Sequence, residues 1–360
     1  MRLKLSYTPH TLQFKFDART SRGAISEHKV YYISVFDEAQ PDIRGIGECA
    51  PLAGLSIDHR PDLEQKIQEV VALVNTQKVA LVPGEPLPAE LKLAEWPALY
   101  FALETALLDL QTGGSRILYK NAFSRGKAGI PINGLIWMGD TDFMQEQISK
   151  KLNEGYTCLK MKIGGLDFGK ELEILQSIRE RNPADCLTIR LDANGAFTPQ
   201  EAYKKLERLA KYEIHSIEQP IKQGQHEQMA QLCAYSPIPI ALDEELIGVQ
   251  GQDDKTKLLD AIKPPYIILK PTLVGGLAAS AEWIELAEQR GIDWWMTSAL
   301  ESNIGLNAIS QFTAQHDITL PQGLGTGQLY HNNITSPLQI RHGELWYNQE
   351  QAWSDIPGEA

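Results

Sequence analysis

The 360 residues carry 34 lysines and arginines against 46 aspartates and glutamates, a formal charge of −12, with 43% hydrophobic and 22% charged residues. That usage is globular and long enough for one large α/β barrel or two packed units, and it excludes a disordered, collagen-like or coiled-coil chain. Acids and bases interleave, which argues against a nucleic-acid or anionic-membrane partner and for a small-molecule ligand bridged by a cation.

Leu12, Phe14 and Phe16 alternate with polar neighbours, and Val30 to Phe36 is β-branched and aromatic. Antiparallel strands joined by a hairpin through Ser21, Arg22 and Gly23 follow from that pattern. A turn-rich stretch over 45–56 leads to predicted helices near 61–75 and 97–112, the second with Leu99, Leu103, Ala106, Leu107 and Leu110 at helical spacing. Residues 1–128 therefore read as an α+β unit.

From Ile130 the rhythm becomes short apolar strands separated by amphipathic stretches, the signature of parallel strands with helical crossovers. Strands are expected at 131–136, 158–163, 187–192, 214–218, 238–243, 266–270 and 293–298, with starts 24 to 29 residues apart. Seven even units imply a closed barrel over 129–328. An eighth strand is expected near 319–322, followed by glycine-rich 323–327 with no helix after it. Alternating Leu338, Ile340, Leu345 and Tyr347 predict strand or coil that returns to the first unit, so 329–360 completes it. The scattered Cys49, Cys158, Cys186 and Cys233 form neither a metal motif nor a disulfide framework. With no apolar leader segment and no eighteen-residue apolar run, the reading is a soluble cytoplasmic protein.

Ionisable residues fall where the parallel strands should end: Lys160 and Lys162, Asp192, Glu218, Asp243 and Lys270. In a barrel all strand C-termini open onto one face, where catalytic groups gather. Singly, each has an ordinary explanation as a helix cap, a surface ion pair or a solvated lysine. Jointly, three acids at consecutive strand ends repel one another unless a cation neutralises them. An all-oxygen set selects Mg²⁺, with Mn²⁺ as a substitute, over Zn²⁺. A lysine beside such a site can act as general base; the competing reading is that Lys160 and Lys162 only neutralise the acids. The stretch from Ser298 to Gly305 should open a helix, as an anion site or a plain cap. Gly323 to Gly327 suits close backbone approach to a ligand, and Gly54, Leu55 and Ser56 form a candidate lid. The histidines show no ligand spacing and read as structural or solvent-facing, and Trp294 and Trp295 as barrel or helix-interface packing.

With Lys160-Met161-Lys162, Asp192-Ala193-Asn194, Glu218-Gln219-Pro220, Leu242-Asp243-Glu244 and Leu269-Lys270-Pro271 in this order, the chain resembles the enolase superfamily over nearly its whole length, in the muconate-lactonizing-enzyme subgroup. The resemblance implies a modified (β/α)7β TIM-like barrel with an N-terminal α+β capping domain, and Asp192, Glu218 and Asp243 as Mg²⁺ ligands. It implies Lys162 as base, Lys270 as electrostatic partner and Lys160 as modulator of Lys162. Within the subgroup, Pro51 to Ser56, Ser298 to Gly305 and Gly323 to Leu329 are most similar to the o-succinylbenzoate synthase family, although Ala53 stands where relatives commonly carry proline. That family dehydrates 2-succinyl-6-hydroxy-2,4-cyclohexadiene-1-carboxylate in menaquinone biosynthesis. The alternative is a dipeptide epimerase or N-acylamino acid racemase, but dipeptide epimerases carry an Asp-x-Asp segment where this chain has Gly323 to Gly327. Substrate contacts are expected from Gly54, Leu55, Ser56, Asn194, Ser298, Glu301, Ser302, Gly325 and Thr326.

Overall fold

The computed structural model describes residues 2–20 and 23–358. Strands β1 (Leu3–Thr20), β2 (Gly23–Asp37) and β3 (Gln40–Cys49) form an antiparallel sheet in the order β1-β2-β3. The expected hairpin joins β1 to β2, but Ser21 and Arg22 of its turn lie outside the described residues. Because successive side chains alternate between faces, the sheet serves two cores. Leu3, Leu5, Tyr31, Ile33 and Val35 pack on helices α1 (Leu63–Asn75) and α2 (Pro97–Gln111). Leu12, Phe14, Val30 and Tyr32 turn the other way, onto Trp137, Ile304 and Tyr330 of the barrel. Two glycines let β3 lie directly on α2: a Cβ at Gly45 or Gly47 would run into the carbonyl oxygen of Ala106 or Ala102 respectively.

Seven parallel strands follow: β5 (Gly134–Ile136), β6 (Cys158–Lys162), β7 (Thr188–Asp192), β8 (Ser216–Glu218), β9 (Ile240–Leu242), β10 (Tyr266–Leu269) and β11 (Asp293–Met296), each hydrogen-bonded to the next. Helices α3 (Thr141–Asn153), α4 (Phe168–Arg181), α5 (Pro199–Leu209), α6 (His226–Tyr235), α7 (Gln252–Ile262), α8 (Pro271–Val274) with α9 (Leu277–Glu288), and α10 (Asn303–Thr313) occupy the crossovers and the turn after β11.

Two expectations change. The strand expected at 131–136 divides into β4 (Ile130–Pro131) and β5, because the Ile132 N–H bonds to Gly343 of the C-terminal hairpin turn and the Asn133 N–H to Gln322 at the barrel closure. The eighth strand shrinks to two parallel bridges, Ile132 with Gln322 and Thr297 with Gly323, which close the ring between first and last strands. The Gln322 side chain strengthens this short closure by accepting from the Met296 N–H at 2.7 Å. After it comes only a single 3₁₀ turn, Thr326–Gln328, so one crossover helix is missing, as the sequence implied.

The C-terminal segment also differs from expectation. Its hairpin, β12 (Leu338–Arg341) and β13 (Glu344–Tyr347), pairs with β4 of the barrel and not with the capping sheet. The return to the capping unit is made by Leu329 and His331, bonded to Lys15 and Gln13 of β1, and by buried Ile334 and Ile356. Among the described residues no helix is long and apolar enough to cross a membrane.

The α2–β3 contact yields a stability test. Gly47→Ala forces a methyl against α2 backbone that cannot swing aside, and should destabilise the fold by about 1–3 kcal/mol, read as a lower thermal midpoint.

Candidate active site

Strand parity builds the site. On β6, β7, β9 and β10 the residues Leu159, Met161, Ile189, Leu191, Ile240, Leu242, Ile267 and Leu269 point outward into the layer beneath the helices. Their neighbours face the barrel axis, where Ala241, Ile268 and Trp295 form a small inner cluster. Arg190 lies with its guanidinium 4.0 Å from the centre of the Trp295 ring and donates to the Pro321 carbonyl at 2.7 Å. Trp295 thus fills the barrel, while Trp294 packs at the helix interface against His316, its indole N–H 3.2 Å from Glu288.

Above this floor the six predicted residues converge, all buried. Their charges alternate. Lys162 Nζ lies 2.8 Å from Asp192 Oδ2, Lys160 Nζ lies 3.0 Å from the same oxygen and contacts Glu218, and Lys270 Nζ lies 3.7 Å from Glu218 Oε1 and contacts Asp243. Parallel register sets this order, since Lys162 stands opposite Asp192 and Asp192 opposite Glu218.

The electrostatics follow the alternation. Burial pushes the pKa values of Lys160 and Lys270 down, but the surrounding carboxylates outweigh it and hold both above the ordinary lysine range. Burial raises Asp192 and Asp243, and the lysines more than reverse it. Glu218, in the middle, is pushed well above its usual value by burial and by the charge of Asp192. Each of the three acids thus lies against at least one lysine, so the lysines share in neutralising them. Among the described residues no three acidic, histidine or cysteine side chains are drawn into a ready-formed metal cage. The donor chemistry nonetheless fits a hard divalent cation: the oxygens come from three carboxylates on adjacent strands, and neither oxygen of buried Glu218 accepts a hydrogen bond of proper geometry.

Local backbone aims these groups. Asn194 sits in the left-handed region at φ 45°. Its side-chain oxygen accepts from Lys162 at 2.8 Å, and its amide donates to Glu244 at 3.1 Å. Gln219, at φ 38°, accepts from the Asp243 N–H at 3.2 Å and donates to Glu245 at 2.9 Å, tying the β8 and β9 ends together.

A cavity of about 930 Å³ opens over the site. Gly54, Leu55, Asn194, Ser298, Gly325 and Thr326 line it. Ser56, Glu301 and Ser302 do not; each is bonded behind the cavity wall. Ser56 Oγ accepts from the Leu52 N–H at 2.7 Å and so pins the capping loop from behind. Glu301 is fully buried, accepting from Ser298 Oγ at 2.5 Å, from the Ala299 N–H at 2.8 Å and from Thr272. Ser302 caps α10, accepting from the Ile304 N–H at 3.2 Å, and donates to Glu48 at 2.6 Å.

Two supporting residues escaped the sequence reading. Glu48, at the end of β3, takes N–H bonds from Ser302 and Gly305, joining the capping sheet to the α10 N-terminus; burial, opposed by these donors, leaves its pKa at about 7. His28 lies between the carbonyls of Leu300 and Pro51 at 3.1 and 3.3 Å, linking two cavity loops, with its pKa lowered by burial to about 4. Glu48 lies in a stretch that reads as turn, and nothing in the local pattern around His28 marks it.

Residues 144–351 match the family profile described as Enolase C-terminal domain-like. The chain is 45% identical to the o-succinylbenzoate synthase of Desulfotalea psychrophila, over 95% of this chain and 98% of that one. The crystal structure of MenC from Desulfotalea psychrophila superposes with a TM-score of 0.85 at 43% identity, covering 96% of this chain and all of that one. A dipeptide epimerase from Enterococcus faecalis, solved with Mg and the dipeptide L-Leu-L-Tyr, has a TM-score of 0.81 at 21% identity over 96% and 97% of the two chains, a likeness of fold alone. The chain belongs to the enolase superfamily, in the muconate-lactonizing-enzyme subgroup that includes the o-succinylbenzoate synthases.

Proposed function

We infer that this protein is an o-succinylbenzoate synthase, a lyase that removes water from 2-succinyl-6-hydroxy-2,4-cyclohexadiene-1-carboxylate to give 2-succinylbenzoate. The observation that carries it is the 45% identity spread over nearly the full length of both chains. The lysines and carboxylates converging beneath a single cavity supply the chemistry that the reaction needs.

In this reading Asp192, Glu218 and Asp243 hold Mg²⁺, with Mn²⁺ able to replace it. Such an ion would supply Lewis acidity toward a bound carboxylate and so make a neighbouring C–H more acidic. Lys162, oriented by the Asn194 side chain, removes that proton. Lys270, from a strand on the other side of the carboxylates, presents its ammonium to the negative charge that develops on the substrate. Lys162 then returns its proton to the departing hydroxyl, so water leaves and the ring becomes aromatic. Aromatisation makes the reaction downhill, so the protein's task is positioning and charge stabilisation more than driving force. Lys160 stays as the ammonium between Asp192 and Glu218 and tunes Lys162. The substrate lies against Gly54, Leu55, Asn194, Ser298, Gly325 and Thr326. The four cysteines are free, in keeping with a reducing cytoplasm.

The lysine pair also suits a second reaction, racemisation of an N-acylamino acid or epimerisation of a dipeptide, in which Lys162 and Lys270 exchange protons on opposite faces of one carbon. Against a dipeptide stands the wall from Gly323 to Gly327, which offers no acid to an ammonium group.

Purified protein with Mg²⁺ should bleach the absorbance of the cyclohexadiene substrate, and EDTA should stop it. Failure to bleach with Mg²⁺ bound, together with solvent deuterium entering an N-acylamino acid at its α-carbon, would shift the assignment to the racemase. Lys162→Ala should lower kcat by at least about 10³-fold with Mg²⁺ affinity nearly unchanged, whereas Asp192→Ala should weaken Mg²⁺ binding in a calorimetric titration.

A further inference from the structure

The cavity holds more positive charge than the reaction uses. Six lysines line it, Lys15, Lys150, Lys151, Lys160, Lys162 and Lys270, against two acids, Glu146 and Asp192, in a chain whose net charge is −12. Four of the six are accounted for. Lys160, Lys162 and Lys270 are matched by Asp192, Glu218 and Asp243, and Lys151 pairs with Glu154 at 3.0 Å while its ammonium lies 4.7 Å from the Tyr156 ring centre. Lys15 and Lys150 remain, and among the described residues neither side chain has an ion pair or hydrogen bond.

One flank of α3, with Phe143, Glu146, Gln147, Lys150 and Lys151, forms part of the cavity wall, as do Thr326 and Gln328 of the turn after Gly323. Lys150 comes from that flank and Lys15 from β1 of the capping sheet. Phe16 and Trp137, edge-on with ring centres 5.8 Å apart, line the same cavity. Trp137 is held by Gln147 of α3, whose side chain accepts from its N–H at 2.9 Å and donates to its carbonyl at 3.0 Å. An apolar surface in a cavity that two cations without ion pairs also line fits a short methylene chain ending in a carboxylate.

We propose that Lys150 and Lys15, which line the same cavity, bind the distal carboxylate of the substrate's succinyl tail and so select a dianion. This deepens the lyase reading and rests on it. An ammonium-bearing tail would meet like charge here, and a neutral one would leave both lysines unanswered.

The test compares wild type with Lys15→Met, Lys150→Met and the double variant, which keep side-chain length and remove charge. Each is assayed on the dicarboxylate and on an analogue whose tail carboxylate is a carboxamide. Binding of 2-succinylbenzoate and of its tail carboxamide is measured alongside by calorimetry with Mg²⁺, which needs no turnover. The double variant should raise KM for the dicarboxylate at least about tenfold, with kcat within about threefold, because it removes charge-assisted hydrogen bonds to the tail carboxylate. On the carboxamide, wild type and double variant should be alike. Unchanged KM and product affinity in the double variant, or an equal loss on both tails, would overturn the proposal. Absence of turnover in wild type would sink the lyase reading alone, provided product binding still depends on the two lysines.

Discussion

Everything at the barrel mouth depends on one constraint: three carboxylates at adjacent strand ends must be neutralised out of contact with bulk water. The protein meets it with an alternating row, Lys162, Asp192, Lys160, Glu218, Lys270 and Asp243, in which every acid touches a lysine. Removing one member of such a buried row strands the opposite charge, at about 3–5 kcal/mol. Parallel register is what makes the row possible, since inward residues two apart on neighbouring strands fall side by side. In the proposed reaction the same row supplies the base, the stabilising ammonium and the oxygen donors for a cation.

The rest of the fold holds that row still while leaving it reachable. The ring is closed by only two bridges at Gln322 and Gly323, assisted by the Gln322 side chain and by Arg190 reaching Pro321. This economy leaves the mouth wide on the side of α3, where the cavity extends. The capping sheet covers the mouth from above and is tied down by buried polar contacts, with Glu48 on the start of α10 and His28 between Pro51 and Leu300. Glu301, behind the wall, orders Ser298 and Ala299, and Thr326 donates to Ser298 at 2.7 Å. The cavity surface therefore takes its shape from carboxylates that do not face it.

The strands from β6 to β10 were legible because each is a short apolar run with a charged residue at or just after its end, and their observed ends at Lys162, Asp192, Glu218, Leu242 and Leu269 fall at or beside the expected ones. The converging acids and lysines were legible for the same reason, since parity and strand end fix both direction and depth. What failed depends on partners distant in sequence. Residues 131–136 look like one strand until β13 and Gln322 compete for their backbone groups, and the 338–347 hairpin alternates equally well whether it pairs with the capping sheet or with β4. Ser56, Glu301 and Ser302 lie in the right loops but turn inward, because each finds an N–H, hydroxyl or carboxylate partner behind the wall. Loop sequence carries no parity rule that would have revealed this.

A Mn²⁺ titration followed by electron paramagnetic resonance shows whether the three carboxylates in the row seat one divalent ion. One tightly bound Mn²⁺ per chain is expected in an all-oxygen environment, displaced by Mg²⁺, lost in Asp243→Ala and kept in Lys162→Ala. A chain that binds no stoichiometric Mn²⁺, or binds it equally well without the Asp243 carboxylate, would contradict that assignment and leave the lysines as the only counter-charges of the site.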